Sequence, residues 1–334
     1  MVKFAVVGAG SWGSAMAYYL GRLGFPVRLW VREEEVLKDL FQTRINYTFL
    51  PGFEFPVTVS FHKNLVEAIT GTSIIFIAIP SQFCRQIYCR LEEHLNRQQV
   101  IISLTKGLEQ KSFKRMTEIM EEVFPPTRRP RIAVLSGPSF AKEVASGHPT
   151  ALVLASKDQA LAREIQGTIS SLKLRIYTSS DVVGVELGGA VKNVIAIAAG
   201  ISVGLGYGNN SRATLITRGL VEMTRLGLVL GARKETFYGL AGLGDLVLTC
   251  TSELSRNYRV GLELSRGKSL RQILSEMKMI AEGVRNTLTV YKLAVNKKVE
   301  MPICSQVYEV LYKGKPPHKA LEELMSRSLK EEKI

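Results

Sequence analysis

The sequence has few residues of the kinds that cross-link small domains or bind metals. Its four cysteines, Cys84, Cys89, Cys250 and Cys304, show neither metal-type nor disulfide-framework spacing. We therefore predict no metal site and a reduced, cytoplasmic setting. The four histidines lie in loop-like or surface-like stretches: His62, His94, His148 and His318. Histidine-centred catalysis is accordingly not favoured.

The sequence also lacks internal repeats, low-complexity tracts and a basic run interleaved with aromatic residues. The formal net charge of +14 raises the possibility of nucleic-acid binding, but lysine and arginine are spread along the chain among acidic residues. We expect no nucleic-acid partner; the basic surface is better suited to anionic substrates. The N-terminus has no separate basic region and no small-residue cleavage site, so we expect no signal peptide.

One apolar stretch, residues 185–205, is long enough to cross a bilayer. However, Glu186, Lys192 and Asn193 interrupt it, and its glycines make a poor lipid-facing surface. We predict a buried core helix and no membrane span.

A chain of 334 residues exceeds one hydrophobic core, so two domains are expected. In the first half, short apolar runs typical of buried strands alternate with helical patterns, which predicts a mostly parallel sheet with right-handed crossovers. The predicted strands are residues 3–7, 27–31, 73–79, 100–104, 132–135 and 151–155, with a weaker one at 175–177. The main helices predicted between them are residues 14–23, 83–95 and 113–123.

After residue 181 the patterns become helical. The predicted helices are residues 185–204, 212–230, 262–277, 284–295, 304–313 and 317–329. We therefore predict an α/β Rossmann-type domain over residues 1–182 and a mostly α-helical domain over residues 183–334.

The first predicted strand runs into a G-x-G-x-x-G sequence, Gly8 to Gly13, that opens a helix. In this context Gly8 allows a tight turn, Gly10 allows the backbone to approach a pyrophosphate, and Gly13 permits close helix–strand packing. The helix N-terminus offers N–H groups to phosphates. The alternative is a strand-to-helix turn with no ligand.

The second predicted strand ends at Val31 and is followed by Arg32 and Glu33. Arg32 suits an adenosine 2′-phosphate and favours NADP(H), whereas Glu33 suits the ribose hydroxyls of NAD. A solvated arginine at the start of a helix remains an alternative.

Polar residues follow other strands at the sheet edge where ligands collect. Lys106 comes after one strand and is placed to meet an anionic group, although a surface lysine is equally compatible. The segment 136–139, Ser-Gly-Pro-Ser, can present N–H groups and hydroxyls at a helix start. A capped turn without a ligand is the alternative.

In the helical half, Lys192 lies within the apolar run 188–195, where a charge must be paired or functional. An ammonium can donate a proton to a developing alkoxide during carbonyl reduction. Asp245, in the glycine-rich segment 239–246, is its candidate partner, and Arg256 can bind a phosphate. A lysine that reaches the surface along its apolar stem is the alternative for Lys192.

Taken together, these motifs resemble bacterial NAD(P)-dependent glycerol-3-phosphate dehydrogenase over almost the whole chain. The motifs that carry the resemblance are residues 8–13, 104–109, 136–141, 186–193, 239–246, 255–257 and 281–283. The resemblance implies reversible reduction of dihydroxyacetone phosphate to sn-glycerol 3-phosphate for phospholipid synthesis, with NADPH or NADH. It also implies a helical C-terminal domain and a homodimer.

The resemblance further implies roles for individual residues. Lys192 would be the general acid/base. The substrate would be held by Lys106, Gly137, Ser139, Lys192, Asp245, Ser255, Arg256 and Asn257. Besides the glycines at positions 8, 10 and 13, the cofactor would be contacted by Ser11, Trp12, Arg32, Lys106, Ala141, Arg256, Ile280 and Glu282. Ile280 stands where relatives often carry valine.

Three other functions stay open at this point. A related lysine-dependent Rossmann dehydrogenase would act on a hydroxy acid or a sugar-acid phosphate. A redox sensor would bind the dinucleotide and a protein partner without catalysis. A nucleic-acid binder would depend on the positive charge.

Overall fold

The structure is a computed structural model that describes residues 2–277, 281–329 and 331–332. The chain forms two compact units. The first contains Met1–Thr105 and Met116–Val182, and the second contains Lys106–Arg115 and Val183–Ile334.

The first unit contains an eight-stranded sheet flanked by helices. The strands of this unit, eight in the sheet and two in a separate hairpin, are β1 (Phe4–Val7), β2 (Val27–Trp30), β3 (Ile45–Asn46), β4 (Leu50–Glu54), β5 (Val59–His62), β6 (Ile74–Ile77), β7 (Val100–Ser103), β8 (Arg131–Ser136), β9 (Thr150–Ala155) and β10 (Leu174–Ser179). Its helices are α1 (Ser11–Arg22), α2 (Glu34–Thr43), α3 (Leu65–Ile69), α4 (Ser81–Leu91), α5 (Met116–Val123), α6 (Ala141–Ala145) and α7 (Gln159–Ile169).

The strand order of the main sheet is β10-β9-β8-β7-β6-β1-β2-β5, and β3 pairs with β4 in a separate hairpin. All neighbours in the main sheet are parallel except β8 and β9, which are antiparallel. The prediction of a mostly parallel Rossmann-type sheet is confirmed.

The apolar run that forms β1 is buried on both faces of the sheet. Phe4 and Val6 belong to one hydrophobic cluster, whereas Ala5 and Val7 belong to another. Because successive side chains of a strand point to opposite faces, a continuous apolar run is what a central parallel strand requires.

The second unit is helical, as predicted. Its helices are α8 (Val182–Gly204), α9 (Asn209–Val229), α10 (Lys234–Tyr238), α11 (Asp245–Thr251), α12 (Arg256–Ser265), α13 (Leu270–Glu276), α14 (Glu282–Asn296), α15 (Pro302–Lys313) and α16 (Pro317–Met325). A π-helical turn, Leu240–Gly244, precedes α11.

Helix α8 has the length and hydropathy of a membrane span, but 94% of its most apolar 18-residue window is buried in the structure. Val191, Val194 and Ile195 are completely buried in the helical core. This burial is that of a core helix, in agreement with the sequence-based expectation.

The segment Lys106–Arg115 belongs to the second unit, so the predicted boundary, which assigned it to the first domain, is corrected here. Leu108 is buried in the helical core, and Arg115 forms an ion pair with Glu186 of α8 at 2.7 Å. Phe113 has a φ of +61°, in the left-handed region, so the helix predicted from residue 113 begins at Met116 instead.

The single helix predicted over residues 262–277 is also wrong. The chain forms α12 and α13, separated by a turn in which Gly267 has a φ of +88°. Ser269 then begins α13 through a capping box with Gln272. The apolar periodicity continues across Gly267, so it did not reveal that the left-handed conformation of this glycine ends the first helix.

Glu222 of α9 caps a neighbouring helix from within the core. Its side chain is 3% exposed and accepts hydrogen bonds from the backbone N–H groups of Ile303 (2.6 Å) and Cys304 (3.1 Å), in the first turn of α15. Burial outweighs these hydrogen bonds and raises the pKa of Glu222 to about 7.

We predict that this carboxyl makes the second unit less stable as pH rises. A raised folded-state pKa means that the folded state retains the proton from about pH 4.5 to about 7 while the unfolded state loses it. The free energy of unfolding contributed by Glu222 is therefore full below pH 4.5 and lost by about pH 7, a difference of roughly 3 kcal/mol. Urea unfolding at pH 5 and pH 8 should show that Glu222→Gln, which retains one acceptor oxygen, lacks this component. An identical pH dependence in both proteins would contradict the prediction.

Candidate functional site

The glycine-rich turn between β1 and α1 is shaped by close backbone contacts. Gly8 has a φ of +113°, and a Cβ atom there would lie 2.6 Å from the carbonyl oxygen of Ala78. A Cβ atom at Gly13 would lie 2.0 Å from the carbonyl oxygen of Gly8. A Cβ atom at Gly10 would meet nothing within 4 Å. Gly8 and Gly13 are thus required by the fold, whereas the space at Gly10 can admit a ligand.

Buried hydrogen bonds hold this turn in place. Ser14 Oγ donates to the carbonyl oxygen of Ala9 at 3.0 Å, and Asn46 Nδ2 donates to the same oxygen at 2.9 Å. Gly10 is the N-cap of α1 and Ser11 is its first residue, so this helix N-terminus has the polarity that favours an anion.

Trp12, in the same turn, packs with Ala141 of α6 against a small buried cluster that includes Leu50. Its indole Nε1 is buried without a hydrogen-bond partner among the described residues. The helix N-terminus, the open space at Gly10 and this unused donor fit the polar groups of a dinucleotide.

Arg32, beyond β2, already has contacts within the first unit. Its guanidinium forms an ion pair with Glu33 at 2.7 Å and lies 5.4 Å from the ring centroid of Phe83. The Arg32 side chain is 60% exposed. An ion pair this exposed contributes little stability, so an incoming phosphate can replace the carboxylate at small cost.

The segment after β8 contains a turn that requires glycine. Gly137 has a φ of +132°, which L-residues rarely adopt, and Ser139 Oγ donates to the carbonyl oxygen of Gly137 at 2.9 Å. Ser136 Oγ is buried without a hydrogen-bond partner among the described residues. The predicted site residues that follow β8 in the first unit are thus Gly137, Ser139 and Ala141, the first residue of α6.

In the second unit, Lys192 and Lys106 share one carboxylate. Lys192 Nζ lies 2.5 Å from Asp245 Oδ1, and Lys106 Nζ lies 2.8 Å from Asp245 Oδ2. Lys192 also donates to Thr249 Oγ1 at 2.7 Å. Asp245 is 1% exposed and Lys192 is 6% exposed. Two ammonium groups and one carboxylate leave this cluster with one net positive charge.

Burial is the main cause that lowers the pKa of Lys192 to about 8; Asp245 opposes this shift, and the charge of Lys106 contributes to it. Burial raises the pKa of the neighbouring Cys250 thiol to about 12, so this thiol stays protonated and inert. Lys192 can therefore exchange a proton near neutral pH, as an acid/base group requires.

Lys192 of α8 reaches Asp245 because glycines allow the backbones around it to approach closely. A Cβ atom at Gly188 would lie 2.3 Å from the carbonyl oxygen of Ala241, and one at Gly242 would lie 2.2 Å from the carbonyl oxygen of Phe237. Gly188 and Lys192 are four residues apart and share a helix face. Close contact at Gly188 thus brings Lys192 within reach of the N-terminus of α11.

A second set of close contacts brings α12 against α8. A Cβ atom at Gly200 would lie 2.0 Å from the carbonyl oxygen of Tyr258, and one at Gly261 would lie 2.0 Å from that of Ile197. This packing puts the N-terminus of α12 beside Asn193, whose Oδ1 accepts a hydrogen bond from Asn257 Nδ2 at 2.9 Å.

The N-terminus of α12 consists of three sequence-predicted residues. Ser255 is the N-cap and its hydroxyl accepts from the N–H of Tyr258. Asn257 Oδ1 accepts from the N–H of Gly283 at 2.9 Å, so its carboxamide is partly engaged in the scaffold. Arg256 keeps solvent contact, although crowding by protein lowers its pKa and Glu282 opposes that shift.

The second unit therefore brings together Lys106, Lys192, Asp245, Arg256, Asn257 and Glu282, with Ser255 capping the helix that bears Arg256. Ile280, a predicted cofactor contact, lies outside the described residues. Sequence reasoning missed Thr249, whose position four residues after Asp245 on one helix was an available signal. It also assigned no contacts to Asn193, Arg115 or Glu186, which only tertiary packing pairs.

A Rossmann-type sheet with a glycine-rich phosphate turn, joined to a helical unit with a buried lysine–aspartate pair, defines a nicotinamide-dependent dehydrogenase. Two sequence profiles match the chain: the N-terminal domain of NAD-dependent glycerol-3-phosphate dehydrogenase over residues 3–162 and its C-terminal domain over residues 181–322. The chain belongs to this family.

Individual relatives agree over the full length. A protein of Geobacter sp. (strain M21) named glycerol-3-phosphate dehydrogenase (NAD(P)+) is 49% identical over 332 residues, 99% of each chain. One of the same name from Koribacter versatilis is 50% identical over 98% of each chain. The crystal structure of glycerol-3-phosphate dehydrogenase from Coxiella burnetii matches with a TM-score of 0.94 and 40% identity, over 98% of this chain and 99% of that one.

We predict that Gly188→Ala disrupts the lysine–aspartate pair. The added Cβ atom meets a backbone carbonyl oxygen at 2.3 Å, so α8 must move away from the turn before α11. Urea unfolding should show a loss of about 1–3 kcal/mol, typical of overpacking. The matched control is Gly167→Ala, at an exposed position of α7, where a Cβ atom meets nothing within 4 Å. This change should be neutral or stabilise by up to about 1 kcal/mol. Equal effects of the two substitutions would contradict the prediction.

Proposed function

We propose that this protein reduces dihydroxyacetone phosphate to sn-glycerol 3-phosphate, reversibly, with NADPH or NADH. The observation that carries the proposal is the buried Lys192–Asp245–Lys106 cluster, with Arg256 in the same unit. A positively charged acid/base group together with a helix N-terminus suits a phosphorylated ketone. The names of the relatives and family membership support the same reaction.

The first unit would hold the cofactor. The N–H groups at the start of α1 suit the pyrophosphate at Gly10 and Ser11, with Trp12 and Ala141 beside them. Arg32 suits the adenosine end, and its pairing with Glu33 leaves both NADPH and NADH open. When bound, the cofactor supplies the hydride that reduces the ketone carbon.

Lys192 would give the proton that the new alcohol needs. Its ammonium has three donors, of which Asp245 and Thr249 engage two, and we assign the third to the substrate oxygen. In the reduction direction Lys192 starts protonated and neutralises the alkoxide. In the oxidation direction neutral Lys192 accepts the proton from the alcohol, and a pKa near 8 allows both directions near neutral pH.

The phosphate of the substrate would bind at the N-terminus of α12. The N–H groups of its first turn and the guanidinium of Arg256 are suited to a dianion, and Asn257 can contribute the amide hydrogen that it does not donate to Asn193. Lys106 adds positive charge beside Asp245. Binding energy from the phosphate then orients the ketone against Lys192.

We also propose a cytoplasmic homodimer that supplies glycerol phosphate for phospholipid synthesis, as the resemblance implied. The alternative, a related dehydrogenase that acts on a hydroxy acid or sugar-acid phosphate, requires an anchor for a carboxylate near the reacting carbon. Among the described residues, Lys106 is the one cation besides Lys192 that contacts Asp245, so it is the candidate for such an anchor. Family membership supports the phosphorylated ketone instead.

We predict that turnover requires the phosphate. Loss of several charge-assisted hydrogen bonds should lower kcat/KM for unphosphorylated dihydroxyacetone by about 10³-fold or more relative to dihydroxyacetone phosphate. The assay follows nicotinamide absorbance with NADPH and separately with NADH, and a panel of hydroxy and keto acids serves as the comparison. Turnover of a keto acid in preference to dihydroxyacetone phosphate would instead establish the alternative.

We predict that Lys192→Ala lowers kcat by about 10²–10⁴-fold, the usual contribution of an acid/base group. Asp245 keeps Lys106 as its partner, so the fold should persist. NADPH affinity, measured by fluorescence titration, should stay within about twofold because the proposed pyrophosphate site belongs to the other unit. In the wild type, kcat/KM for reduction should fall as pH rises through about 8 and kcat/KM for oxidation should rise there. Retained activity in Lys192→Ala would overturn the assignment.

A further inference from the structure

The first two turns of α14 contact several residues assigned to substrate binding. Glu282 lies close enough to Arg256 to oppose the shift in its pKa, and the N–H of Gly283 donates to Asn257 Oδ1 at 2.9 Å. Asn286 follows on the same side of the helix, three residues after Gly283. This helix therefore organises the site without supplying an assigned catalytic group.

Asn286 joins two other parts of the site. Its Nδ2 donates to the carbonyl oxygen of Lys106 at 3.2 Å and to that of Ala190 on α8 at 3.2 Å. The residue is 1% exposed. Two amide hydrogens thus meet two carbonyl oxygens, one from the segment that carries Lys106 and one from the helix that carries Lys192.

The backbone of Lys106 is consequently held from two helices. Asn193 Nδ2 of α8 also donates to the Lys106 carbonyl oxygen, at 3.3 Å. A lysine side chain has four rotatable bonds, so a directed contact with Asp245 Oδ2 depends on where its backbone starts. Fixing that backbone reduces the conformational freedom that the Lys106 side chain must lose to contact Asp245.

The geometry points to Asn286 as a positioning residue for the proposed reaction. It holds the backbone of Lys106 against α8 so that the Lys106 ammonium stays on Asp245, beside the ammonium of Lys192. This inference rests on the proposed function, because it assumes that the shared carboxylate serves the proton transfer.

Displacing Lys106 changes the electrostatic environment of Lys192, which a purely structural role of Asn286 would not do. The charge of Lys106 lowers the pKa of Lys192. When Lys106 moves away, that repulsion weakens and the pKa of Lys192 rises. The fall of kcat/KM for reduction and the rise of kcat/KM for oxidation with pH, called here the two pH limbs of Lys192, should then both move to higher pH. Loss of packing alone would change stability and leave these limbs in place.

The test uses Asn286→Leu, which keeps the branched shape of the side chain and removes both donors. We expect kcat/KM for dihydroxyacetone phosphate to fall about 10- to 100-fold, as small misplacements of site groups do, and the pH limb to move upward. Asn286→Gln, which retains both donors, should recover part of the loss. Thr289→Val is the matched control: Thr289 is 1% exposed on the same helix, and within the described part of the chain its hydroxyl donates to the carbonyl oxygen of Arg285 in its own helix. It should leave kcat/KM and the limb unchanged.

A double-mutant cycle with Lys106→Met isolates the pathway of the effect. If Asn286 acts through the Lys106 side chain, Asn286→Leu should lower kcat/KM by less than about twofold once that side chain is gone. A full, additive loss in the Lys106→Met background would overturn the inference, and so would unchanged kcat/KM and pH limbs in Asn286→Leu.

A measurement without substrate separates this inference from the proposed function. The pKa of Lys192 can be followed by NMR titration of ¹³C-labelled lysine side chains, with Lys192→Arg to assign the signal. A higher Lys192 pKa in Asn286→Leu than in the wild type supports the positioning role, even if the wild type fails to reduce dihydroxyacetone phosphate. An unchanged pKa rejects the positioning role, whatever the substrate.

Discussion

The structure of the second unit is organised around one buried charge, the ammonium of Lys192, in the middle of a 23-residue apolar helix. An unpaired charge at such a position would be strongly destabilising. Asp245 and Thr249 satisfy it from the start of α11, and Lys106 occupies the second oxygen of the carboxylate. Removing one partner of a buried pair costs several kcal/mol, so each neighbouring element is constrained to stay in place.

Glycine makes this pairing geometrically possible. Gly188 allows the π-helical turn before α11 to touch α8, and Gly200 and Gly261 allow α12 to do the same further along. A side chain at Gly188 would push α8 away from this turn and so away from Asp245. Packing and chemistry are therefore linked through α8: one part of its surface contacts α11 and another contacts α12.

The segment Lys106–Arg115 is held in the second unit by several contacts. It follows β7 in the chain, yet Leu108 is buried in the helical core, Arg115 pairs with Glu186, and the Lys106 carbonyl oxygen accepts from Asn193 and Asn286. A loop after a strand in a Rossmann-type sheet thus supplies a charged side chain to the helical site. Its anchors, several residues apart in the chain, limit how far Lys106 can move.

Periodicity and glycine spacing are local signals, and they were enough to predict the Rossmann-type sheet, the glycine-rich turn and the buried core helix, and to propose Lys192, Asp245 and Arg256 as site residues. Three features follow instead from the folded chain: residues 106–115 join the helical unit, the helices α12 and α13 are separated at Gly267, and Asn286 contacts Lys106. The hydrogen bond from Asn286 to Lys106, for example, joins residues 180 positions apart in sequence. No local pattern specifies such contacts, because they exist only once the glycine-mediated packing has brought the helices together.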